Sequence, residues 1–217
     1  MNIEIKNNEV WLDTDGNRIQ AHGSSIYFID GKFYWLGENK EGVTGRAFGQ
    51  CKIWHNGVNL YSSNDLYNWK NEGTILKSDD ENNPFHPSMI MDRPHLIYND
   101  VTKKYVIWAK TAGRFLSPDW GESTMTVATS DNLKGPYTVQ KIIKQPDMPM
   151  GDFDLVKRPD GTAYIIYERP HTHIICQKLT PDYQDVTDQL TKHFESPYPP
   201  FTREAPCFFE RKGKKYI

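Results

Sequence analysis

Four residues stand at one repeated distance from a turn, and their types suit proton transfer. Asp152 lies nine positions before Gly161, Glu204 nine before Gly213, and His22 nine before Gly31. Asp92 lies ten before Thr102, where the loop holds one extra residue. Carboxyl groups exchange protons near neutral pH once their surroundings move their pKa values, and a neutral imidazole can hold a hydroxyl or a water. Three carboxylates and a histidine therefore make a candidate active site, provided that the fold brings the four positions together.

The segments that follow them supply the means. Ser25–Trp35, His95–Trp108, Leu155–Tyr167 and Cys207–Ile217 each read as an apolar strand, a turn and a strand with Tyr or Phe. Repetition at intervals of roughly 50 to 70 residues marks a propeller or another repeat array. Asp30-Gly31 is a strong two-residue hairpin signal. Outer strands follow in Val58–Gly73, Thr124–Tyr137 and His173–Tyr183, the first two sharing a Ser-Asn-Asp-Leu or Ser-Asp-Asn-Leu turn. Four strands per repeat are thus visible in three repeats, and their spacing argues against βαβ units. Equivalent positions in a propeller start the innermost strands around a central channel, so Asp92, Asp152, Glu204 and His22 converge at one mouth. The expected fold is all-β, in four-stranded antiparallel sheets, with less than about a tenth of the residues helical. Residues 3–13 alternate loosely and predict a lead-in strand, closed by a turn at Asp13–Gly16.

Composition narrows the function classes. The 217 residues suit one large all-β domain, and aromatic side chains reach 13%, which fits a wet, ring-lined surface of the kind that binds sugars. Trp54, Trp120 and Tyr167 are candidate platforms for the apolar face of a sugar. The net charge of −2 gives no basic footprint, so nucleic acid is not an expected partner. No run of 18 apolar residues occurs, and Met1–Lys6 lacks the apolar core of a signal peptide, so the chain either stays in the cell or has had its signal removed. Cys51, Cys176 and Cys207 form an odd set without CxxC spacing, and His171-Thr-His173 is only a weak metal signal. There is no Gly-rich phosphate loop, no Ser/His/Asp elbow and no zinc spacing, so neither cofactor nor metal is expected.

Arg93-Pro94 after an acidic residue, Tyr98-Asn99, Lys103-Lys104-Tyr105-Val106, Ser130-Asp131, Gly135-Pro136 and Glu204-Ala205-Pro206 occur in an order that resembles glycoside hydrolase family 43. Ala21-His22-Gly23 and Trp35-Leu36-Gly37-Glu38 are similar to its branch of exo-β-1,3-galactanases. The resemblance runs from about Ile19 to Ile217 and implies a five-bladed β-propeller that releases terminal sugars with inversion. Inversion needs one carboxylic acid to protonate the leaving oxygen and one base to activate water. On this resemblance Glu204 is the general acid, Asp152 its modulating and orienting partner through like-charge repulsion, and Asp92 a sugar-binding and supporting carboxylate. Asp154 is a weaker rival to Asp152. Glu38, His22, Arg93 and Trp54 are the candidate substrate-binding residues, and the partner is an oligo- or polysaccharide. The competing plain readings are a solvated Glu204 paired with Arg203, a turn Asp152 after Gly151, an Asp92–Arg93 ion pair and a packed, hydrogen-bonded His22.

Two departures follow. Asp92 stands where the branch usually has Glu. Residues 1–217 read as one catalytic domain cut off inside the fourth repeat, with about one and a half blades absent and the base left unassigned. Such an open array is expected to associate through its free edges, or to need another chain, and to hydrolyse galactan poorly. An α-L-arabinofuranosidase or β-xylosidase of the same family, or a silent sugar-binding propeller, remain the alternatives.

Overall fold

The structure is a computed structural model that describes residues 4–6, 8–42, 53–115, 120–145, 149–169, 171–196, 198 and 203–217. Arg46, Cys51 and most of the Pro-rich loop 196–201 lie outside the described residues. The strands are β1 (Ile26–Ile29), β2 (Lys32–Glu38), β3 (Val58–Ser63), β4 (Lys70–Leu76), β5 (Met89–Asn99), β6 (Lys104–Arg114), β7 (Thr124–Ser130), β8 (Thr138–Ile143), β9 (Phe153–Lys157), β10 (Ala163–Arg169), β11 (His173–Leu179), β12 (Val186–His193), β13 (Phe209–Arg211) and β14 (Lys214–Tyr216). They form three four-stranded sheets, each in chain order, and a final hairpin of β13 and β14. Every pairing is antiparallel. Each sheet has the strand order of a propeller blade.

The hairpins close where the sequence places them. Asp30 and Gly31 take φ of 49° and 79°, the left-handed pair of a tight turn whose twist matches its strands. Lys212 and Gly213 repeat this in the last hairpin, at 51° and 71°. At Asp13, Oδ1 accepts the N–H groups of Asp15 and Asn17, so the predicted turn forms. The lead-in strand does not. Among its described residues only Leu12 pairs, in one bridge to Arg18, while Ile5 and Val10 stay exposed. Trp11 packs its ring edge-on against Trp35 at 5.0 Å, and its carbonyl accepts the Ile19 N–H at 2.9 Å.

The second sheet is buried on both faces, unlike most antiparallel sheets. Along β6 the alternation sends Tyr105, Ile107 and Ala109 into a core shared with the first sheet. Val106 and Trp108 point the other way, into a core with Phe153, Ile165 and Tyr167 of the third. Polar links complete each seam. Leu96 N–H donates to Tyr27 Oη at 2.9 Å, and Trp108 Nε1–H donates to the Tyr183 carbonyl at 2.8 Å. The inner strands are thereby held side by side, and their starts converge.

A close backbone approach fixes the start of the first repeat. His22 and Glu38 exchange both backbone hydrogen bonds, at 3.1 and 2.9 Å, and Gly37 lies so near Ala21 that a Cβ there would stand 2.3 Å from its carbonyl carbon. Gly37→Ala is expected to force this bridge open at a cost of about 1–3 kcal/mol, lowering the melting midpoint by roughly 2–12 °C. An unchanged midpoint in a thermal melt would refute the steric argument.

Candidate active site

The four positions read from the sequence all lie in an inner strand or precede one. His22 bridges to Glu38 ahead of β1, Asp92 lies in β5, Asp152 precedes β9 and Glu204 precedes β13. Each of the first three faces a fixed position on the second strand of its repeat. Glu38 faces His22, Lys110 faces Asp92, and Glu168 donates its N–H to the Asp152 carbonyl at 2.9 Å. Sequence reasoning named Glu38 but missed Lys110 and Glu168. The same turn spacing could have found them, since Glu38 and Glu168 come seven after Gly31 and Gly161, and Lys110 eight after Thr102.

One group of side chains surrounds Glu38 and Asp92. The Glu38 carboxylate is fully buried; Oε1 accepts the Arg93 N–H at 2.9 Å and lies 3.3 Å from His22 Nδ1, while Oε2 pairs with Lys40 at 2.7 Å. Burial pushes the Glu38 pKa up, but His22 and Lys40 outweigh it and hold it below the usual carboxylate value. The hydrogen bond to Glu38 raises the His22 pKa against the opposing effect of burial. Asp92 accepts the Trp54 Nε1–H at 2.7 Å and has Lys40 3.8 Å away. Burial, then the charge of Glu38, push the Asp92 pKa up. Trp54 thus anchors Asp92 by its edge while its face carries Lys40 Nζ at 4.2 Å and its ring meets Trp120 at 6.0 Å.

A second group lines a cavity of about 300 Å³ bounded by Lys110, Trp120, Asp152, Glu168, His171 and Glu204. Asp152 is clamped by Lys110 Nζ on Oδ1 and Arg93 Nε on Oδ2, both at 2.8 Å. Burial raises its pKa, but the two cations prevail and keep it below the ordinary value. Asp152 is therefore an ionised group whose charge is largely balanced by its clamps, rather than a lone negative charge beside Glu204. Burial drives the Glu168 pKa up, against the N–H groups of His171 and Asp152 that its oxygens accept. Glu204 is mostly exposed, with Oε1 3.5 Å from His171 Nδ1.

Asp152 and Glu204 thus share one cavity. Asp92 lies just outside its walls and is joined to it by Lys110 across the strand pair and by the adjacent Arg93. Tyr167 is no sugar platform. Its ring is fully buried in the core between the second and third sheets, with its hydroxyl 3.0 Å from Gln177 Oε1. Asp154 is occupied elsewhere, its Oδ2 accepting the Phe208 N–H at 2.8 Å. Among the described residues no group of three or more His, Cys, Asp and Glu side chains is placed to hold a metal ion.

A profile of glycosyl hydrolases family 43 matches residues 18–217, and the chain belongs to that family. Solved structures place it beside particular members. It is similar to a GH43 β-1,3-galactosidase, with TM-score 0.82 and 29% identity over 97% of this chain and 42% of the other. It is similar to the exo-β-1,3-galactanase of Phanerochaete chrysosporium, solved with galactose, with TM-score 0.80 and 27% identity over 96% of this chain and 45% of that one. The exo-β-1,3-galactanase of Clostridium thermocellum gives TM-score 0.80 and 26% identity over 97% and 44%. The chain therefore spans less than half the length of these three proteins. No curated protein sequence matches it significantly.

Beneath the first group lies His55, fully buried, with Nδ1 accepting the Gly57 N–H at 2.8 Å. Burial, then the charge of Lys40, hold its pKa down at about 4. The unfolded chain takes up this proton near pH 6.5 and the folded chain does not until about pH 4, so stability is full above 6.5 and falls as pH drops toward 4. The loss amounts to about 3 kcal/mol. His95 shifts in the same sense and His22 in the opposite one, so the measurement is a difference between proteins. Urea midpoints of the parent and of His55→Asn, which keeps an acceptor for Gly57, should diverge between pH 7 and 5. Parallel profiles would refute the assignment.

Proposed function

We propose that the chain carries part of the active site of an inverting, exo-acting glycosidase that releases galactose from β-1,3-galactan. One observation carries this reading: consecutive repeats set two carboxylates, Asp152 and Glu204, on a single cavity with the Trp120 ring in its wall. Family membership and the likeness to β-1,3-galactan-cleaving enzymes support it. Residues 1–217 belong to a single catalytic propeller domain in this reading.

Glu204 is the general acid. Its exposure leaves it free to reach the oxygen of a departing sugar, which it protonates as the glycosidic bond breaks. Asp152, held ionised by Lys110 and Arg93, faces the positive charge that gathers on the sugar ring in an oxocarbenium-like transition state. Asp92, Glu38 and His22 offer a polar floor for the hydroxyls of the terminal sugar, and Arg93 and Lys110 keep the two groups in register. Trp54 and Trp120 supply the apolar face against which a galactose ring packs.

Galactose release from β-1,3-galactan tests the reading, with the anomer followed by proton NMR. The α-anomer should appear first from β-linkages, and Glu204→Gln should lower kcat by about 10²–10⁴. Release of arabinose or xylose with no galactose would overturn the substrate, first release of the β-anomer would overturn inversion, and sugar binding without turnover would leave a sugar-binding propeller.

A further inference from the structure

Glu204 is an exposed side chain outside any strand, and its place depends on what holds its backbone. Its neighbour Ala205 takes a left-handed φ of 46°, and β13 begins only at Phe209. The segment is joined to the third sheet through His171. Arg203 forms a backbone bridge to His171, the Arg203 carbonyl accepts from His171 Nδ1 at 3.2 Å, and the same nitrogen lies 3.5 Å from Glu204 Oε1. A carbonyl can only accept, so Nδ1 bears the hydrogen and gives it to the Arg203 carbonyl, with the Glu204 carboxyl beside it at 3.5 Å.

His171 is itself held from behind. It follows β10 at a left-handed φ of 59°, and its backbone N–H donates to Glu168 Oε2 at 2.6 Å. The other oxygen of Glu168 accepts the Asp152 N–H at 3.2 Å. Glu168 is almost wholly buried, and it fits only because residue 151 is glycine, since a Cβ there would stand 1.6 Å from Oε1. One buried carboxyl group therefore fixes the backbones of Asp152 and His171, at the roots of both proposed carboxylates. The charged groups around the imidazole are Glu168 at 3.8 Å, Glu204 at 3.5 Å, and Asp152 and Lys110 across the cavity.

We propose that His171 is a positioning residue for Glu204, anchored by Glu168, and that its Nδ1–H receives the carboxylate formed when Glu204 gives up its proton. This rests on Glu204 being the general acid. As water adds to the anomeric carbon from the opposite face and passes a proton to the base, the bond to the leaving oxygen breaks, its electron pair departs with that oxygen and the Glu204 proton joins it. The negative charge left on Glu204 grows 3.5 Å from this donor, so the hydrogen turns from the Arg203 carbonyl toward the carboxylate, and the bond formed toward the transition state contributes to rate rather than to binding.

Two variants and two substrates test this. His171→Ala removes the donor, whereas His171→Asn places an amide N–H where Nδ1–H stands and tolerates the left-handed backbone. The substrates are β-1,3-galactobiose, whose leaving sugar needs a proton, and 2,4-dinitrophenyl β-galactoside, whose leaving group does not. His171→Ala should lower kcat on galactobiose by about 10- to 100-fold, part of what a general acid supplies, with KM nearly unchanged and the aryl substrate slowed less than about threefold. His171→Asn should restore most of the loss. Equal losses on both substrates, or no recovery with Asn, would overturn the role. A parent chain that cleaves neither substrate would overturn the proposed activity and the catalytic part of this role. The positional part is decided without turnover by crystal structures of the parent and both variants. Glu204 should keep its place in the parent and in His171→Asn, and lose it in His171→Ala; an unmoved Glu204 in the Ala variant would overturn it.

Discussion

The inner ends of these sheets depend on Arg93 reaching two neighbours at once. Its backbone N–H donates to Glu38 in the first sheet, and its Nε meets Asp152 beside the third. It can do both because the β5–β6 ladder slips between Asp92 and His95 and Arg93 takes a left-handed φ of 53°. Such a backbone costs a non-glycine residue free energy and persists only where surrounding bonds fix it. Here charge-assisted hydrogen bonds to two carboxylates do so. The slip turns Asp92 toward Trp54 and Arg93 toward Asp152, so adjacent residues serve the two halves of the site.

Those halves are set to opposite proton affinities by what surrounds each carboxylate. Burial, and after it the charge of Glu38, raise the pKa of Asp92. Asp152 has a cation on each oxygen, and its pKa falls. The second-strand positions Glu38, Lys110 and Glu168 alternate in sign around the mouth, and the lysine between two glutamates reaches Asp152. Carboxyl groups driven apart in this way are the arrangement that lets one site hold an ionised group beside a protonatable one.

The repeat made much of this legible beforehand. Turn residues such as Asp30-Gly31 are local chemistry, so the hairpins and the inner positions followed from spacing. The same spacing carries Lys110 and Glu168, which escaped notice because attention fell on the first strand of each repeat. Lys40 could not be read in this way: it follows β2 rather than lying on a strand, and only folding brings it to Glu38 and Trp54. Tyr167 misled for the opposite reason. Alternation assigns a residue to a face, but whether that face meets solvent or a neighbouring sheet is a tertiary fact.

Five of the six tryptophans divide between two places with different duties. Trp11, Trp35 and Trp69 meet edge to face at 5.0 and 5.4 Å on the first sheet, far from the carboxylates in their contacts. Trp54 and Trp120 meet at 6.0 Å at the site, each with a lysine ammonium near its ring. Indoles this close couple their electronic transitions, and a cation beside a ring shifts its absorption. The protein therefore carries two coupled indole groups, one sensitive to the packing of the first sheet and one to the contents of the cavity, with Trp108 apart from both in the core between the second and third sheets. Occupancy of the site and integrity of the fold can be followed in the same near-ultraviolet spectrum.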